Sequence, residues 1–269
     1  MRRGIWLQNG RGLTVKDTVE YAVAAEEGGW DGVFVSDSIW DGFSDPWTVL
    51  AAIAARTERV VLGTWITPVP LQLPWRLAHA LASLDQLSDG RMLLGTGLGT
   101  RHDHEMFGAA YDGRALGRRY DEALELIAAL WRGETVTHGG EHFSLVDARL
   151  PVLPVQQPRI PIVVGCWWPN LPPMRRGARW DGIMPNWPAM LGDQGGPEGQ
   201  QPTGAPLAQE FRELMAAYLA MADDPGEVVV PALRDAAYLD ACEELGATWL
   251  LHGRADSVEL LRAGPPDLS

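Results

Sequence analysis

The chain has 269 residues, near the ~250 of a single (β/α)8 barrel, and enough to bury a full core. Its formal net charge is −13, with no Lys/Arg-rich run, which argues against a nucleic-acid partner. The two cysteines, Cys166 and Cys242, match no zinc spacing and make no disulfide framework, so a reducing, cytoplasmic setting is expected. No apolar run reaches the ~18 residues of a membrane span, and no signal peptide is expected at the N-terminus.

Short β-rich runs alternate with longer helical patterns, which argues for parallel strands joined by crossover helices. The first strand is expected at Ile5–Gln8 and the first helix at about 14–27, with Thr14 and Asp17 as a capping box. Strand two is Gly32–Val35, followed by a helix over about 46–56. Strand three is Val60–Thr64, followed by a helix over about 75–87. Strand four is Met92–Gly97, followed by a helix over about 118–131. Residues 132–159 break the alternation and read as an excursion carrying a small hairpin. Strand five is Ile160–Gly165, strand six Gly182–Met184, strand seven Val228–Val230 and strand eight Thr248–Leu251. Residues 185–206 hold five Pro and five Gly and read as a long loop, a candidate lid. Eight such units in one domain, residues 1–269, are the count of a closed α/β TIM barrel; the alternation by itself also fits a doubly wound open sheet.

Chemistry in such a barrel sits in the loops that follow the strands. That rule selects Asp37 and Ser38 after strand two, and Thr64 and Trp65 after strand three. It also selects Gly97 and Gly99 after strand four, and Gly165 and Cys166 after strand five. The stretch Arg101-His102-Asp103-His104-Glu105 concentrates two of the six histidines and two carboxylates, so His102, His104 and Glu105 are the acid/base candidates. Gly97 and Gly99 are expected to let a ligand approach the backbone. Gly95-x-Gly97-x-Gly99 has the wrong spacing for a dinucleotide fingerprint, and no helix is expected directly after it.

Several blocks carry a resemblance: Ala51-Ala52-Ile53-Ala54-Ala55-Arg56-Thr57-Glu58-Arg59, Leu84-Asp85-Gln86-Leu87-Ser88-Asp89-Gly90-Arg91, Gly28-Gly29-Trp30-Asp31-Gly32, and Arg159-Ile160-Pro161-Ile162-Val163-Val164-Gly165. In order and spacing the chain resembles the bacterial luciferase-like monooxygenases and their F420-dependent relatives, well over about residues 5–185 and loosely beyond. The resemblance implies an oxidoreductase with a flavin or deazaflavin ring across the strand ends. Asp37 is then at the ring's edge. Thr64-Trp65-Ile66 forms a bulge behind the ring, often with a non-proline cis peptide. Gly97 flanks the ring, and Gly165-Cys166 with Met184 receives the phosphate tail. Trp40 and Trp187 are expected to cover the ring and meet the substrate.

The leading expectation is FMN, supplied reduced by a separate reductase, with a small organic substrate; relatives are commonly homodimers. The alternative is coenzyme F420. Many F420 enzymes place Asp-His after strand two, whereas here Ser38 follows Asp37. A reading of another class is a metal-dependent hydrolase using His102, Asp103, His104 and Glu105, with His252 as a further ligand. A third is a barrel that binds a cofactor without catalysis. No metal is expected under the leading reading.

Overall fold

The computed structural model describes residues 1–10, 12–188, 205–253 and 257–268. Eight parallel strands close a ring in the order β1 (Arg2–Leu7), β2 (Gly32–Val35), β3 (Val61–Thr64), β5 (Met92–Gly97), β8 (Ile162–Trp167), β9 (Gly182–Asn186), β10 (Glu227–Pro231) and β11 (Trp249–His252). β11 returns to pair with β1, with Arg2 opposite Trp249 and Ile5 opposite His252. The chain is therefore a (β/α)8 barrel, as the alternation of its sequence predicts.

The outer layer contains α1 (Val15–Glu27), α2 (Pro46–Ala54), α3 (Pro74–Leu87), α5 (Gly113–Trp131), α6 (Leu171–Gly177), α7 (Ala205–Leu219), α8 (Ala236–Glu244) and α9 (Val258–Arg262). Thr14 and Asp17 do form the capping box of α1. Thr14 Oγ1 accepts from the Asp17 backbone at 3.2 Å, and the Asp17 carboxylate accepts from the Thr14 backbone at 2.9 Å. The shorter Asp thus replaces Glu without loss of either bond. The excursion holds its expected hairpin, β6 (Val136–Gly139) with β7 (Ser144–Ala148), antiparallel. Glu122 of α5 pins it by accepting from the His142 and Phe143 backbones.

Two boundaries near the strand ends move, and one helix is new. The helix expected from about Arg118 begins at Gly113, capped by Asp112, whose carboxylate accepts from the backbones of Arg114 and Ala115. Strand five runs on to Trp167, so Gly165 and Cys166 lie inside β8, in register with Met184 and Pro185 of β9, and not in a loop. A short helix, α4 (Arg101–Glu105), opens after β5 where none was expected. Its capping box, Thr100 with Asp103, repeats the Thr-x-x-Asp pattern of α1.

The barrel interior is filled by Phe34, Leu93, Val163, Met184, Val229, Trp249 and Leu251. The Phe34 and Trp249 rings meet edge to face, 5.5 Å apart. Gly63 of β3 leaves the space for Phe34, since a Cβ there would lie 2.4 Å from the ring. The block from Leu84 to Arg91 serves this scaffold. Arg91 donates to the carbonyls of Ser88, Val60 and Thr57 at 2.7–2.8 Å. Buried Asp85 accepts from the backbone and side chain of Gln156 at 2.9 and 2.7 Å. Both positions read as structural, because chemistry in this fold gathers at the other end of the strands.

Candidate active site

A cavity of about 1070 Å3 opens where the strands end. One wall of its floor comes from the bulge after β3. Trp65 stays tied to the sheet through its backbone N–H on the Val35 carbonyl at 2.7 Å. The Trp65–Ile66 peptide is cis, and the chain then rejoins β5 through β4 (Thr67–Pro68). Ile66 projects toward Gly97 and Gly165; a Cβ on either glycine would come within 2.3 and 2.4 Å of its Cδ1. These glycines therefore make room for Ile66, a role the sequence reading had given to a ligand.

Asp37 stands at the end of β2, positioned by the residues before it. Asn9, fully buried, accepts from the Ser36 backbone at 2.7 Å and donates to the Ser36 and Ser44 carbonyls at 3.1 and 2.8 Å. Trp6 donates its indole N–H to Ser36 Oγ at 2.7 Å. These bonds fasten the start of the loop to β1 and leave Asp37 facing the cavity. Its Oδ2 is buried without a hydrogen-bond partner, and so is the hydroxyl of Thr67. Burial pushes the Asp37 carboxyl up to about 7; Thr67 nearby opposes this, and the Asp45 and Asp103 carboxylates add to it. A carboxyl of that pKa exchanges protons readily near neutral pH.

Ser38 also lines the cavity, and its hydroxyl donates to Asp103 Oδ1 at 2.7 Å. Asp103 accepts from Thr100 as well, from Oγ1 at 2.7 Å and from the backbone at 3.1 Å. Burial alone would raise its pKa, but the hydrogen bonds from Ser38, Thr100 and the Trp40 backbone outweigh that and hold it below the usual carboxylate range. The ring of Trp40 stacks on His102 with centroids 4.5 Å apart. The loop after β2 is thus docked on α4 twice.

On the opposite wall, the Tyr120 hydroxyl of α5 donates to Thr96 Oγ1 of β5, and Arg176 of α6 lies over the Tyr120 ring at 4.5 Å. Arg176 is held on both carboxylate oxygens of Asp121, at 2.7 and 2.9 Å. Cys166 lines the cavity with its thiol pushed up to about 12 by burial, so it is no nucleophile at neutral pH.

The structure brings Asp37, Ser38, Trp65, Gly97, Gly99, Gly165 and Cys166 to this one cavity. It places the other expected residues elsewhere. Glu105 is half exposed and paired with Arg101 at 2.9 Å, one turn along α4. His104 is buried and donates from Nε2 to the Leu98 carbonyl at 2.8 Å. His102 is exposed under Trp40. The four polar side chains 102–105 diverge because successive helical positions point about 100° apart, which also disfavours the metal reading. His252 serves no shared site with them: its Nε2 accepts from Arg3 Nε at 2.9 Å, and burial and the Arg3 and Arg234 cations lower its pKa to about 4. Thr64 is buried with its hydroxyl on the Gly95 carbonyl at 2.8 Å, and Met184 fills the barrel interior. Trp187 is fully buried outside the barrel against Phe211 and Tyr238, 5.4 and 5.8 Å away. Trp40 stands on the rim, about half exposed. Most of the expected lid, 189–204, lies outside the described residues.

Trp6, Phe43 and Tyr120 are lining residues that the strand-end rule does not select, and Ile66 lines the cavity at the expected bulge. Asp103, expected only as a possible metal ligand, enters the site through its Thr-x-x-Asp cap. Trp6 comes from a strand interior, Phe43 from the segment before α2 and Tyr120 from a helix face that reads as core.

A family model described as luciferase-like monooxygenase matches residues 1–184. The chain belongs to this family. The F420-dependent glucose-6-phosphate dehydrogenase of Beutenbergia cavernae is 40% identical over 157 residues, covering 55% of this chain and 45% of that protein. The chain spans about half the length of the curated relatives it matches. A monooxygenase from Streptomyces bottropensis has a TM-score of 0.67 at 26% identity, covering 86% of this chain and 70% of that one. The coenzyme F420-dependent tetrahydromethanopterin reductase of Methanopyrus kandleri has a TM-score of 0.76 over 97% of this chain and 96% of that one; at 14% identity this is a likeness of fold. No helix among the described residues is long and apolar enough to cross a membrane.

Proposed function

We propose that this luciferase-like oxidoreductase uses coenzyme F420 and exchanges a hydride with a small organic alcohol or its carbonyl product. The observation that carries the acid/base part is the Asp37 carboxyl at the cavity wall, whose pKa burial raises to about 7. The cofactor choice is supported by the 40% identical relative, named for F420. That relative moves the balance away from FMN, which the sequence alone had put first.

The site fits a deazaflavin: the cavity is large, Asp37 brings a carboxyl to its wall, and Trp65 and Ile66 form an apolar backing. Bound F420 would supply a two-electron hydride acceptor or donor at C5. The chain's own part is position, dryness and a proton. Asp37 takes the hydroxyl proton of an alcohol, or returns it to a carbonyl oxygen. Trp6, Trp65 and Ile66 exclude water, and Ser38 with Asp103 holds the loop that carries Asp37. His102, His104 and Glu105 are not given the catalytic role first expected of them.

An FMN-dependent oxygenase remains the second reading, favoured by the 26% identical monooxygenase. Titration with F420, FMN and reduced FMN, followed by fluorescence, decides between them. Tight binding of F420 with loss of hydride transfer in Asp37→Asn is the expected result. Binding of reduced FMN alone would overturn the choice.

A further inference from the structure

A second cleft, of about 410 Å3, opens on the outside of the barrel between the first turns of α3 and the β7 side of the excursion hairpin. Its volume falls within the ~300–1,000 Å3 of small-molecule sites. No residue lines both this cleft and the cavity at the strand ends. The apolar part of its lining is Trp75 of α3 with Leu145, Ala148 and Leu150 of the excursion. The Trp75 ring meets Phe143 at 6.3 Å, nearly perpendicular, and Arg119 lies over Phe143 at 4.3 Å. Glu122 accepts from the Phe143 backbone at 2.9 Å, so α5 braces this lining from behind.

The polar part of the lining is basic. It consists of Arg76, His79 and Arg149 with the Ser144 hydroxyl, and no carboxylate is among these residues. Arg76 and His79 lie three residues apart on α3, the spacing that puts two side chains on one helix face. The guanidiniums of Arg76 and Arg149 have no hydrogen bond or ion pair among the described residues. Elsewhere arginines do find carboxylates, as Arg118 finds Glu141 and Arg212 finds Glu244. Asp147, beside the cleft in sequence, turns to Thr137, whose hydroxyl donates to it at 2.8 Å. In a chain of net charge −13, two unpaired arginines next to an anchored apolar lining complement an anion that carries an apolar body. The planar guanidinium matches carboxylate and phosphate oxygens as a fork. We propose that this cleft binds a small aromatic anion, with its ring against Trp75, Leu145 and Leu150 and its carboxylate or phosphate head group on Arg76 and Arg149. The proposal is independent of the F420 reading.

The test is a ligand-detected NMR titration with 2-naphthoate, 1-naphthyl phosphate and the neutral 2-naphthol. The parent is compared with Arg76→Gln, Arg149→Gln, the double variant and Ala148→Phe, and Asp37→Asn serves as a control for the other cavity. At least one anion is expected to bind with a Kd of about 1 mM or tighter, an ordinary efficiency for about 13 heavy atoms. The tighter of the two identifies the head group. 2-Naphthol should bind the parent at least about tenfold more weakly than that anion, and the double variant should lose a similar factor, the scale of one charge-assisted hydrogen bond. Ala148→Phe keeps the charges but fills the cleft, and should also weaken the anion about tenfold. Asp37→Asn should leave anion binding unchanged. The two arginines are exposed and unpaired, so their Gln variants should melt with the parent. If the double variant melts early, the single variants and Ala148→Phe decide. No anion binding up to about 10 mM overturns the proposal. So does 2-naphthol binding as tightly as the anions, or anion affinity that survives all the arginine and Ala148 substitutions.

Discussion

The hydroxyl of Ser38 donates to Asp103 Oδ1 at 2.7 Å, joining the loop after β2 to α4 across 65 residues of sequence. Ser38 stands where many F420 enzymes carry histidine, and here it latches the neighbour of Asp37 in place. Ser38→Ala removes one hydrogen bond to a charged acceptor at a half-exposed position. It should cost about 1 kcal/mol and lower Tm by about 2–4 °C, read by thermal unfolding. Because the folded pKa of Asp103 is depressed, its stabilisation is present above the ordinary carboxylate pKa and is lost as pH falls through the folded value. The variant should therefore lose less stability on acidification than the parent. KM for cofactor should rise with little change in kcat.

Asp37 has the opposite sign. Its folded pKa is raised from 3.8 to about 7, so between those values the folded protein holds a proton that the unfolded chain has released. Stability declines as pH rises through that window, and the penalty is complete above about pH 7. Asp37→Asn should be more stable than the parent at pH 8, by on the order of 2 kcal/mol, and close to equal near pH 4. Oxidation by the parent should gain rate through a limb near pH 7. The Asn variant should lose ~100-fold or more in kcat together with that limb. Denaturant melts at both pH values and a pH–rate profile check this; an unchanged limb in the variant would remove Asp37 from proton transfer.

Two glycines separate packing from site geometry. A Cβ at Gly63 meets the fully buried Phe34 ring at 2.4 Å, where neither ring nor backbone can yield. Gly63→Ala should destabilise by about 1–3 kcal/mol. At Gly97 the clash is with the tip of Ile66, a side chain that can turn aside. Gly97→Ala should cost less than about 1 kcal/mol but push Ile66 into the cavity, raising KM roughly tenfold. Parallel melts and kinetics of the two variants would show the contrast, which equal stability losses would refute.

Glu105→Ala tests the reassigned loop. Its carboxylate pairs with Arg101 on the exposed side of α4. Losing an exposed i,i+4 pair costs about 0.3–0.5 kcal/mol. Steady-state kcat/KM should stay within about twofold; a loss near 100-fold would restore Glu105 as a catalytic group.

Much of this protein is determined by local sequence. The alternation of β-rich and helical runs gives parallel neighbours joined by crossover helices, and the pairing of β11 with β1 closes them into the barrel. The strand-end rule then found Asp37, Ser38, Trp65 and Gly97, which depend only on where a strand stops. Tertiary structure decided the rest. Whether a polar residue after β5 faces the cavity depends on the rotation of α4, a helix of five residues that only its cap announced. Glu105 therefore turned outward, while Asp103, two residues earlier, faced Ser38. Trp187 reads as a ring cover by its place in the chain, yet Phe211 and Tyr238, more than 20 residues later, bury it behind the barrel. The raised pKa of Asp37 comes first from burial, which only the folded chain supplies, with smaller contributions from Asp45, eight residues on, and from Asp103 of α4.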